Sequence, residues 1–136
     1  MIAHIDLQTA VFTSLNLGSY NVFETVPAKT KMPYITIGDA TQVNDNTKTS
    51  KRKVFNIMMH TWSTGTDSTQ SKLMDDFVQE QLLNNDLLLV SHDLDMVELS
   101  MSVGQKEITT DKTIFHTSLE FEFHLTEKET IKNGTN

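Results

Sequence analysis

The sequence of 136 residues contains no cysteine, two prolines, five glycines and one tryptophan. Without cysteine there is no disulfide framework, no thiolate nucleophile, no iron–sulfur cluster and no cysteine-based zinc site. The scattered glycines form no phosphate-cradling loop, and neither a Gly-x-Ser-x-Gly elbow nor a His-Glu-x-x-His helix occurs. No apolar run reaches the ~20 residues of a membrane span. The opening stretch MIAHIDLQTA lacks the basic start and apolar centre of a signal peptide. Positive charge is scarce too: 11 Lys and Arg stand against 18 Asp and Glu, for a formal charge of −7. That balance argues against a protein that grips duplex DNA by its phosphates. These absences leave the expectation of a soluble, compact chain, made inside the cell and long enough for one core burying roughly 70% of its unfolded surface.

What is present is periodicity. Leu7, Val11 and Leu15 stand four apart beside Phe12, predicting a helix from about Asp6 to Asn16. Asp6 is expected to cap its start and Gly18 to end it. Tyr20 to Met32 reads as irregular, and Pro33 to Asp39 as a strand. Gln42 to Lys53 reads mostly as a mobile loop leading into a second strand over Arg52 to Ser63. That strand is apolar on both faces and so belongs inside a sheet. A second helix is expected over Ser68 to Asn84, with Leu73, Met74, Phe77, Val78 and Leu82 inward and Asp75, Asp76, Gln79 and Glu80 outward. Leu87 to Val90 reads as a short strand. Val97 to Val103 and Phe115 to Leu125 alternate strictly, which predicts an antiparallel hairpin turning near Thr109 to Lys112. The fold class expected is α+β: a two-layer sandwich, a mainly antiparallel sheet with two helices packed on one face. Residues 1–126 form the one domain of this reading, and 127–136 a flexible C-terminal tail.

Catalytic and metal candidates are few. His116, Glu120, Glu122 and His124 share one strand face, but the two histidines stand roughly 26 Å apart and cannot hold one ion. His124 with Glu122 would need a third ligand from a neighbouring strand. His92, Asp93 and Asp95 suit a turn, and His60 with Trp62 suits packing against the sheet or a neighbouring subunit. The expectation is therefore no catalytic residue, no metal site and no cofactor.

Charge placement says more. From Thr66 to Ser100 eight carboxylates face only Lys72, so this stretch alone carries −7, whereas Gln42 to Lys53 carries +3. This polarity suggests head-to-tail self-association, with Lys48, Lys51, Arg52 and Lys53 of one copy against Asp75, Asp76 and Glu80 of the next.

The order of motifs adds a family. Val22-Phe23-Glu24-Thr25-Val26-Pro27 is followed by Met32-Pro33-Tyr34-Ile35-Thr36-Ile37-Gly38. After a polar loop come His60-Thr61-Trp62-Ser63, the helix Lys72 to Val78, the step Leu87-Leu88-Leu89, and a long Phe-rich strand opening at Phe115-His116. From about Asp6 to Leu125 the chain resembles the tail completion proteins of long-tailed phages, also called tail terminator or tail-to-head joining proteins. The resemblance implies a non-enzymatic virion protein that forms a hexameric ring on the head-proximal end of the tail tube. It implies that the ring stops tube growth and joins the head. The implied partners are other copies of itself, the tail tube protein and the head connector or stopper. DNA would pass through unbound, aided by an acidic bore, and no membrane is involved. The free protein would be either a monomer or already a ring. Two alternatives stay open: another neck protein, such as a head-completion adaptor or stopper, and a small ligand-binding or enzymatic α+β domain.

Overall fold

In the computed structural model, residues 2–43 and 52–129 are described. The architecture grows from two long strands, β4 (Arg52–Thr64) and β6 (Thr113–Glu127), which pair antiparallel from Arg52 opposite Thr126 to Thr64 opposite Ile114. This register puts Phe55 opposite Phe123, Ile57 opposite Phe121 and Met59 opposite Leu119, all fully buried. Each such side chain contributes about 1.5–3 kcal/mol by leaving water. β1 (Asn21–Phe23), β2 (Tyr34–Ile37) and β5 (His92–Ile108) complete the sheet order β1-β2-β4-β6-β5, with β3 (Thr41–Val43) also paired to β4. β1 runs parallel to β2, and the other pairings are antiparallel. The predicted inner strand is thus flanked on both sides, and the predicted hairpin is the β5–β6 pair.

Two helices join the same core: α1 (Ala3–Leu15) and α2 (Thr69–Gln79), the latter continued by a π-helical turn over Glu80–Asn84. Leu7, Val11 and Leu15 of α1 are fully buried, as are Met74, Val78 and Leu82. Gln81 Nε2 donates to the Ser14 carbonyl at 2.8 Å, tying the π-helical turn to α1. The fold is an α+β sandwich, as expected. Among the described residues no helix is long and apolar enough to cross a membrane.

Several local expectations are corrected. α1 begins at Ala3, and Asp6 lies inside it, 1% exposed, rather than capping it. Asp6 accepts from the Val90 and Ser91 amides at 2.7 and 2.8 Å and from His92 Nδ1 at 2.7 Å. It therefore caps the approach to β5. Asn21 to Phe23 forms an edge strand that a three-residue pattern cannot announce. Leu87 to Val90 is not a strand; Leu87 is buried in the core and Leu89 packs partly against it, while Leu88 and Val90 are exposed. In α2 the inward stripe runs through Ser71, Met74 and Val78, so Leu73 turns out to solvent and Asp75 turns toward the sheet. Where the loop is expected to begin, Gln42 and Val43 belong to β3, while Arg52 and Lys53 belong to β4, the strand expected from Arg52. Lys48 and Lys51 lie outside the described residues, as does most of the expected tail. Glu127 closes β6, and the Lys128 amide donates to the Ser91 carbonyl at 3.0 Å.

Gly18 follows α1 and meets the ring of Phe77, where an added Cβ would fall 2.4 Å from Cζ. Gly18→Ala should destabilise the protein by about 1–3 kcal/mol through this overlap. Thermal unfolding of Gly18→Ala, with and without Phe77→Leu, checks it: the second change should recover most of the loss.

Asp6 offers a second check. Burial alone would raise its carboxyl pKa, but the Val90, His92 and Ser91 hydrogen bonds outweigh that and hold it below the ordinary 3.8. A carboxylate lowered in the folded state adds stability that is full above 3.8 and lost as pH falls through the folded value. Asp6→Ala should cost about 3–5 kcal/mol near neutrality, because it strands the donors that Asp6 now satisfies. Denaturant titrations across acidic pH should show a shallower acid-side slope in the variant.

Candidate assembly surface

Side chains of the alternating strands divide between two faces. One face meets the helices; the other carries no layer among the described residues. On that open face Trp62 stacks on His116, with ring centroids 3.7 Å apart and planes 6° from parallel. Tyr34 lies 6.4 Å from Trp62 and Phe23 6.0 Å from Tyr34, so the row crosses β1, β2, β4 and β6. The indole Nε1 donates to Thr36 Oγ1 at 3.1 Å, fixing the ring in place. The structure thus bears out the reading of His60 and Trp62 as packing residues. The aromatic row was missed in sequence because its members lie on four separate strands, and only the register unites them.

His60 Nδ1 and His116 Nε2 are 2.8 Å apart, with Ser118 Oγ 3.1 Å from the former. Two imidazoles at that distance share one proton between them. Farther along, Arg52 Nη2 lies 2.7 Å from His124 Nδ1, and His124 Nε2 lies 2.9 Å from Glu122. Arginine only donates and a carboxylate only accepts, so this geometry has His124 Nδ1 accepting from Arg52 and Nε2 donating to Glu122. Among the described residues no three potential ligands converge on a metal position. His92 pairs with Asp6, not with Asp93, and is buried in a structural contact.

Of the charged residues expected at an interface, Asp75 is taken up inside the fold: its two carboxylate oxygens accept from Thr61 and Thr117 hydroxyls at 2.6 and 2.9 Å. Asp76 and Glu80 are exposed, Glu80 accepting from Asn84 Nδ2 at 2.7 Å. Arg52 and Lys53 are half-buried residues at the start of β4. The expected contact joins neighbouring copies, so these positions within one subunit leave it open.

β5 departs most from its sequence pattern. Register shifts between Leu94 and Met96 and between Leu99 and Met101 turn successive segments over. Val97 and Leu99 pack on the core, whereas Met96, Met101 and Val103, 42–43% exposed, stand on the open face. Strict alternation hid the bulges, because each leaves the apolar spacing intact while reversing the face.

Burial holds the His60 imidazole below its ordinary 6.5; burial, and secondly the charge of His60, does the same for His116. The unfolded chain therefore binds protons first, and stability should begin to fall as pH drops through 6.5. Because Trp62 is the single tryptophan and stacks on His116, its emission should change with a midpoint below 6.5. A fluorescence titration checks this, and the transition should vanish in His116→Leu.

The family model described as Tail completion protein gp17 matches residues 2–126. Among solved structures, a chain from "Virion of native gene transfer agent (GTA) particle" is similar, with a TM-score of 0.76 and 18% identity. The match covers 94% of this chain and 100% of that one. The bacteriophage SPP1 gp17 protein is similar at a TM-score of 0.58 and 22% identity, over 100% of this chain and 96% of that one. These likenesses show a shared fold. A comparison with curated proteins finds no match in sequence.

Proposed function

Because the chain belongs to the tail completion protein gp17 family, a family of structural phage tail proteins, we propose that it forms a hexameric ring on the head-proximal end of the tail tube. There it ends tube polymerisation and supplies the tail-side surface for the head connector or stopper. The observation that carries this reading is the family match over residues 2–126, which takes in both helices and nearly all of the sheet. Residues 1–126 act as one domain in this reading. An open sheet face with a half-buried aromatic row suits a subunit completed by neighbours, since such rings combine apolar area with polar edges. Joining is interface chemistry, which needs no catalytic group. DNA passes through the ring without specific binding, and part of the acidic excess faces the bore, where it repels phosphate.

In an in vitro joining reaction, tails made without this protein should remain apart from filled heads. Adding the purified chain should restore infectious particles. Joining that proceeds equally well without it would contradict the reading.

A further inference from the structure

The two side edges of the sheet differ in a way that suits them to each other. At one edge, α1 and β1 frame an open groove of about 560 Å³, with Ile5, Phe12, Val22 and Phe23 as its apolar wall and a polar rim that includes Gln8, which donates to Glu24 at 3.2 Å. Ile5 is 52% exposed there, a large apolar side chain without cover. The chain leaving Thr25 carries Lys29 and Lys31, both exposed. Lys29 has φ of 65°, a conformation that glycine adopts more readily.

At the other edge runs β5, 17 residues long and, among the described residues, paired only to β6, with every residue from Ser100 to Ile108 exposed. An uncovered strand of that length is a ready template for another chain. Register places Asp93, Met96, Glu98, Met101 and Val103 on its open-face side, opposite Thr126, His124, Glu122, Glu120 and Ser118. This edge therefore offers three apolar side chains beside two exposed carboxylates. Among the described residues the close contacts between basic and acidic side chains are His92–Asp6 and His124–Glu122, and none involves Lys29, Lys31, Asp93 or Glu98.

Resting on the ring reading above, we propose that the β5 edge of one copy docks on the α1–β1 groove of the next. Met96, Met101 and Val103 meet the apolar wall of the groove, and Asp93 and Glu98 meet Lys29 and Lys31. With β1 and β5 at the two ends of a five-strand path, the surfaces lie roughly 19 Å apart, on opposite sides of one subunit. Two different, complementary surfaces on opposite sides give a heterologous head-to-tail contact, the kind that closes into a ring. Within one copy the groove and the edge cannot satisfy each other.

The test is charge exchange in the full-length protein, scored as copies retained on purified tails that lack it. Lys29→Glu with Lys31→Glu, and separately Asp93→Lys with Glu98→Lys, should each lower retention roughly tenfold or more, because like charges then face each other. The protein carrying all four changes restores opposite signs and should recover most of the retention. Thermal midpoints near wild type for all three variants keep the reading free of folding defects, as these side chains are exposed. Unchanged retention in either double variant, or no recovery in the combined protein, would overturn the docking proposal while leaving the ring reading intact. A wild-type protein that binds tails only as isolated monomers would overturn both.

Discussion

The pairing of β4 with β6 is the constraint on which the molecule depends. Once Phe55 faces Phe123 and Ile57 faces Phe121, every other residue of both strands is committed to the opposite surface. The same register that closes the core against α1 and α2 therefore sets Trp62 on His116 and His60 beside Ser118 on the open face. A slip of one residue would place Asn56, Met58 and His60 under the helices and expose the phenylalanines. Core and open face are two readings of one hydrogen-bond ladder.

The remaining elements are fastened to that ladder by polar contacts rather than by length. Asp6 links the first helix to the entry of the last hairpin by gathering two amides and an imidazole across more than eighty residues of sequence. Asp75 does the same for α2, bridging the hydroxyls of Thr61 on β4 and Thr117 on β6. The sequence reads Asp6 as a helix cap and Asp75 as a surface acid, and both serve as anchors. What is left uncommitted is the outer part of β5, where two register shifts present apolar groups to solvent. A subunit made rigid at its centre and left open along its edges is the form that ring assembly requires.

The sequence made the strong periodicities legible. Phe115 to Leu125 and Arg52 to Ser63 announce long strands, and Met74, Val78 and Leu82 announce a helix face. It concealed what depends on neighbours. β1 has only three residues and is a strand because β2 lies beside it. Leu73 seemed inward because leucine at helical spacing usually is, yet the stripe through Ser71 and Met74 leaves it outside. The bulges in β5 preserve alternation while reversing its face, so Met101 and Val103 could not be placed by pattern. The charge polarity of the chain is visible in the sequence, but not that the fold engages Asp75 with two threonine hydroxyls and Arg52 with His124. The aromatic row from Phe23 to His116 required the sheet order itself.

The central claim is that this chain completes the tail as a ring of interlocking subunits at its head-proximal end. Electron cryomicroscopy of tails assembled with the protein tests it most directly. The account predicts one additional ring of six copies, at that end alone, with the sheet edges of neighbouring copies in contact. Density distributed along the tube, at the opposite tip, or absent from both ends would contradict it.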